Sequence, residues 1–132
     1  MSTRILKSMY RCYVETAQLE PTIAFYEMLQ QMQCERRLAF PETGIDVAVI
    51  AAFIVPAGTQ DALAPVRHIE SALIVDTLDD FVGPLCALGA GVPDEFHRTP
   101  MGRNMAVLHP DGFVAEYFES ATWNITVALQ RA

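Results

Sequence analysis

The sequence predicts an α+β fold assembled from two copies of one βαβββ unit, over residues 8–57 and 68–119, with residues 58–67 joining them. Two observations carry this prediction. The apolar periodicity changes from two to about three and a half and back again, in the same order, in each half. The halves also match at an offset of 59, with Leu19-Glu20 over Leu78-Asp79, Ile23 over Val82 and Leu29 over Leu88. At 132 residues, 52% hydrophobic and 19% charged, the chain is long enough for a single domain with a real core and far from a disordered composition.

Each element follows from local chemistry. Residues 8–16, SMYRCYVET, alternate as a strand does, with Met9, Arg11, Tyr13 and Glu15 on one face and Tyr10, Cys12 and Val14 on the other. A helix follows from Glu20-Pro21, where proline is tolerated because a first-turn N–H has no helical partner, and its stripe is Leu19, Ile23, Tyr26 and Leu29. Strands come next at about 34–41, 45–51 and 52–57, divided by Pro41-Glu42-Thr43-Gly44 and closed by Pro56-Ala57-Gly58. In the second half a strand at 68–76 leads to a helix at 78–88, striped by Leu78, Phe81, Val82, Leu85 and Leu88 and ended by Gly89 and Gly91. Pro84 removes one backbone bond inside that helix, so a bend or a shortened first turn is expected. Strands near 92–98, 103–108 and 113–119 complete the unit, and the tail 120–132, with Trp123 as its anchor, is apolar enough to dock.

Charge and cysteine content narrow the function. Nine basic residues against sixteen acidic ones give a net charge of −7, and without a Lys/Arg cluster a nucleic-acid partner is not expected. The excess of acid favours a cationic ligand. Cys12, Cys34 and Cys86 are odd in number and widely spaced, unlike a disulfide framework or a metal-binding pair, and read as reduced thiols. With no signal-like run and no stretch of ~20 apolar residues, a cytoplasmic protein away from the membrane is expected. Asn124-Ile125-Thr126 fits a glycosylation sequon formally.

A duplication in so short a chain implies two similar sheets related by a pseudo-twofold axis, with equivalent positions converging. The same offset places Arg11 over Glu70, and a slip of one residue brings Phe53-Ile54 over Phe113-Val114. The element order, the helix starts LEPTIAFYEML and VDTLDDF, and the ending PMGRNMAVLHPDGFVAEYFE resemble the vicinal oxygen chelate superfamily, which includes glyoxalases, extradiol dioxygenases and bleomycin-resistance proteins. The resemblance covers residues 8–119, and its most specific piece is HPDG followed by Glu116. It implies curved mixed sheets around a cleft with helices outside, and a homodimer.

The resemblance also implies four site positions, in the first and last strands of each unit. They fall on Arg11, on Val55 or Pro56, on Glu70 and on Glu116, and of these Glu116 alone matches the expected ligand type. A divalent metal needs at least three His or carboxylate ligands, and a guanidinium repels a cation, so no metal cofactor is expected there. A site that recruits His68, two residues before Glu70, is the minor alternative. In the metal-free arrangement Arg11 stands between Glu70 and Glu116 and bridges them electrically; the bland alternative is an ordinary Arg11–Glu70 ion pair.

Tyr13, Phe53, Met9, Met101, Met105 and Phe118 offer an aromatic and thioether lining suited to polycyclic ligands, although each taken singly reads as core. Arg103 and Asn104 either reach the ligand or sit at a strand edge. His109 reads as a turn residue and His97 as a surface one. No nucleophile has a base placed near it, and no phosphate loop is present. The expected function is metal-independent binding of a small molecule, cationic or polycyclic, in the manner of bleomycin-resistance proteins, with Arg11, Tyr13, Phe53, Val55, His68, Glu70, Arg103, Met105, Glu116 and Phe118 as ligand-binding residues. The alternative is a glyoxalase-like lyase or isomerase in which Glu116 or Glu70 acts as a general base, with or without a divalent metal.

Overall fold

A computed structural model describes residues 3–99 and 101–120. The tail after Ser120, with Trp123 and the sequon, therefore lies outside the described residues. The chain divides into two compact units, one of Met9–His68 and the other of Met1–Ser8 with Ile69–Ala132; they are called here the N-terminal and C-terminal units. Each carries the predicted βαβββ order, so the fold is α+β with mixed strand pairing.

In the N-terminal unit the strands are β1 (Ile5–Arg11, of which the last three residues belong here), β2 (Arg36–Phe40), β3 (Ile45–Ile50) and β4 (Phe53–Ala57), ordered β2-β3-β4-β1. β1 runs parallel to β4 with Tyr10 opposite Phe53 and Arg11 opposite Ile54, while β2-β3 and β3-β4 are antiparallel hairpins. Helix α1 (Leu19–Gln30) buries Ile23 on Ala48, Ile50 and Val55, with Cys12, Val14, Leu19, Tyr26 and Cys34 packed around them. Strand alternation puts Met9, Arg11 and Tyr13, with Ile54 and Pro56, on the face away from α1. The helix ends at Gln31, whose φ of 55° is left-handed, and Met32 N–H reaches back to the Glu27 carbonyl at 3.1 Å.

The first strand departs from its predicted bounds. It begins at Ile5 and ends at Arg11, after which the Cys12 N–H still donates to the Ile54 carbonyl at 2.9 Å and Val14 bridges Ala57. The alternation of 9–14 is correct, but the charged Lys7 hid the strand's beginning at Ile5. The joining segment also contains a short helix, α2 (Gln60–Leu63), whose Thr59 side chain accepts the Ala62 N–H.

In the C-terminal unit the order is β1-β5-β8-β7-β6, with β5 (Ser71–Val75) parallel to β8 (Val114–Ser120), and β7 (Gly102–Leu108) and β6 (His97–Thr99) antiparallel beyond. Helix α3 (Asp79–Ala87) runs through Pro84 and is nine residues long. Leu78 and Phe81 pack on Val75, Met105, Val107, Ala115 and Tyr117. The predicted strand at 92–98 shrinks to His97–Thr99, since Pro93 supplies no N–H and only Gly91 bridges Leu108 before it. Among the described residues no helix is long and apolar enough to cross a membrane.

Candidate functional site

The face of the C-terminal unit away from α3 holds its distinctive chemistry. On β8 the residues Ala115 and Tyr117 belong to the α3 core, so alternation turns Val114, Glu116 and Phe118 to the other side. Glu116 stands in register with Ala72 of β5 and Ala106 of β7. With strands spaced about 4.8 Å apart, two alanines leave a strip roughly 10 Å wide in which the glutamate is the one long side chain. The rows on either side are bulkier: Ile74, Phe118 and Asn104 on one, Val114 and Leu108 on the other. Ala72 and Ile74 are buried while Ala106 and Leu108 are exposed, so the strip opens to solvent on the β7 side.

The turn before β8 sets this register. Gly112, at φ 93°, gives its N–H to the His109 carbonyl at 2.9 Å, and the Asp111 carboxylate accepts the Phe113 N–H at 3.1 Å. His109 is fixed by its ring: Nε2 lies 2.8 Å from the Tyr117 hydroxyl, whose pKa burial raises.

Several sequence-predicted residues lie elsewhere. Glu70 is exposed just before β5, its carboxylate accepting the Val114 N–H at 3.3 Å, and the β5 residue opposite Glu116 is Ala72. Arg103 shares the α3 side with Glu119, to which Nε and an Nη donate at 2.9 and 2.8 Å, and it also meets Asp79 at 3.2 Å. These bonds tie it to the start of α3 and raise its pKa, and they place it on the opposite face of the sheet from Glu116. Met105 is buried in the same α3 core. Phe118 and Asn104 do share the face of Glu116.

In the N-terminal unit Val55 is buried beneath α1, and of the two candidates at that position Pro56 takes the face of Arg11. Phe53 stacks on Tyr26, with centroids 4.1 Å apart, and so lies on the α1 side as well. Arg11 is half-buried, its Nε donating to the Tyr13 hydroxyl at 2.7 Å, and that hydroxyl donates to the Val66 carbonyl at 2.6 Å. His68 sits exposed in a turn, outside the strand expected to carry it. Among the described residues no group of three or more His, Cys, Asp or Glu side chains is gathered for a metal. The two register neighbours of Glu116, Ala72 and Ala106, offer no donor atom to a metal.

Ala72 and Ala106 had no signal in the sequence, because their contribution is missing bulk. Only the strand register reveals them.

No family model and no curated protein matches the chain. Among solved structures, an uncharacterized protein from Methanosarcina mazei is 37% identical with a TM-score of 0.80, covering 89% of this chain and 94% of its own. Methylmalonyl-CoA epimerase from Mycobacterium tuberculosis is 18% identical with a TM-score of 0.65, covering 97% and 93%. The Streptomyces coelicolor methylmalonyl-CoA epimerase, in complex with 2-nitronate-propionyl-CoA, is 21% identical with a TM-score of 0.61, covering 92% and 100%. At such identities the two epimerases share the fold with this chain.

Proposed function

Because the chain belongs to the vicinal oxygen chelate superfamily, we propose that it is a small-molecule-binding protein whose Glu116 carboxylate anchors a cationic or hydrogen-bond-donating ligand. One observation carries this reading: Glu116 is flanked in register by Ala72 and Ala106, a strip that leaves room for a ligand beside the carboxylate. Phe118, Ile74 and Val114 supply apolar walls for a flat or polycyclic body, and the net charge of −7 favours a cation over an anion. The type of function is that of bleomycin-resistance proteins, enclosure without chemistry.

A thermal-shift panel of cationic and polycyclic compounds tests it, since a ligand that binds only the native state raises the melting temperature. At least one compound should raise it in the wild type, and the shift should vanish in Glu116→Gln and in Ala106→Leu. Ala106 is exposed, so leucine fills the strip without disturbing a core. Silence across the panel, or shifts indifferent to both substitutions, would overturn the reading.

A second reading is favoured by the half-buried setting of Glu116 among small apolar neighbours. There Glu116 is a general base that removes a proton next to a carbonyl, the fold being shared with methylmalonyl-CoA epimerases. Protein-dependent exchange of that C–H for solvent deuterium in an acyl thioester, abolished by Glu116→Gln, would establish it over plain binding. Near-stoichiometric divalent metal in protein purified without chelator, lost in Glu116→Ala, would replace the metal-free form of either reading.

A further inference from the structure

Tyr13 is a fixed platform in the N-terminal unit. The backbone on either side of it is locked to β4, with Cys12 N–H on the Ile54 carbonyl at 2.9 Å and Val14 N–H on the Pro56 carbonyl at 3.1 Å. Its hydroxyl is held twice, accepting from Arg11 Nε at 2.7 Å and donating to the Val66 carbonyl at 2.6 Å. Two guanidinium groups share this one ring. Arg11 Cζ lies 5.3 Å from the ring centroid and Arg67 Cζ 5.8 Å, so the two cations stand within about 11 Å of each other.

The backbone of Arg67 is fixed as well. Leu63 is fully buried, and its carbonyl accepts both the Val66 and the Arg67 N–H, at 3.0 and 2.9 Å, in the turn that follows α2. The Arg67 side chain is exposed, and among the described residues it has no ion pair. That sets it apart from Arg37, held by Glu20 at 2.6 Å, and from Arg103, held by Glu119 and Asp79 at 2.8 and 3.2 Å. In a chain with sixteen acidic residues and nine basic ones, an arginine set beside a second arginine instead of a carboxylate calls for an anion from outside.

We infer that Arg67 and Arg11, gathered on the ring of Tyr13, form a binding site for an oxyanion, and that the group it fits is a phosphate monoester. A guanidinium presents a planar fork that meets two oxygens of one phosphate or carboxylate, and Arg67 carries its fork at the surface. Two cations near one point favour the phosphate, which carries about −1.5 to −2 at pH 7 against the single charge of a carboxylate. Tyr13 steadies both cations through its ring and hydroxyl without neutralising either. Donors held in place beforehand lose little freedom on binding. The net charge of −7 repels anions at long range, but that field is screened beyond about 8–10 Å at physiological salt, and the contact pair decides.

Arg67, in the turn after α2, and Tyr13, beyond the end of β1, lie outside the four strand positions of the superfamily, and the site does not depend on Glu116. Titration of the full chain with phenyl phosphate and with benzoate at constant ionic strength tests it, read from the arginine Nε–H signals in proton–nitrogen correlation spectra. Phenyl phosphate should move the Arg67 and Arg11 signals saturably, with a dissociation constant on the order of millimolar, and benzoate should bind about tenfold more weakly. Arg67→Gln should raise the phenyl phosphate dissociation constant about tenfold or more, and Arg67→Lys, which keeps the charge but loses the fork, should fall between. Arg67 is exposed and outside every helix and strand, so both variants should keep the far-UV circular dichroism of the wild type. Shifts that grow without saturating, or an affinity indifferent to Arg67→Gln, overturn the site. Benzoate binding as tightly as phenyl phosphate overturns the phosphate assignment.

Discussion

Gly102 can be no other residue, and the reason is geometric. Its φ of 145° is reserved for glycine, and a Cβ built there would run into the Glu119 carbonyl of the paired strand. Gly102→Ala should therefore cost about 3 kcal/mol or more, read from the urea midpoint. Ala51 presents the opposite case. It turns the two-residue hairpin between Ile50 and Phe53 at a φ of 49°, which costs an L-residue about 1–2 kcal/mol. The turn is held regardless, with Ala51 N–H donating to Glu35 at 3.2 Å and the Gln30 side chain joining Ala52 N–H and the Ile50 carbonyl at 3.0 and 2.9 Å. Glycine would relieve the strain and lose about 0.5–1 kcal/mol to unfolded-state freedom. Ala51→Gly should raise stability by about 0.5–1 kcal/mol in the same urea assay, and a loss would mean the strain is not there.

At the scale of elements, α3 begins without a capping side chain of its own, and a strand supplies one. Glu119 of β8 accepts the Leu78 N–H at 2.9 Å and is itself gripped by Arg103. The Arg103 hydrogen bonds hold the Glu119 carboxyl below the usual carboxylate range, with burial opposing and the Leu78 N–H assisting. A depressed folded pKa contributes stability that is present above the unfolded value, near 4.3, and is lost as pH falls through the folded pKa. Glu119→Gln should accordingly cost about 1–2 kcal/mol at pH 7. The gap to wild type should close below the folded pKa, as followed by denaturant titrations at stepped pH. An undiminished gap in acid would show that shape, not charge, makes the contact.

Across the whole chain, the two βαβββ units were legible because helix and strand periodicities differ and because Leu19, Ile23 and their counterparts repeat. Which face of each strand meets the helix was less legible. β8 is apolar at Val114, Ala115, Tyr117 and Phe118, so either face could have been the core, and only α3 packing on Ala115 and Tyr117 decides it. The same choice moves Arg103 and Met105 to the helix side and leaves Glu116 with Phe118. Register thus places the one glutamate among these apolar residues on the face away from the helix.

The division of β1 has a kinetic consequence. Ile5–Ser8 belong with strands whose first residue is Ser71, and Asp76 N–H closes on the Arg4 carbonyl at 3.2 Å. At the ~5–20 residues per second of a ribosome, those early residues wait roughly 3–14 s for their neighbours to be made. During that interval Met9–His68 can already assemble on its own helix, while the leading half of its first strand dangles unpaired. Vectorial synthesis therefore finishes the N-terminal unit first and leaves the C-terminal unit to recruit Ile5–Ser8 last.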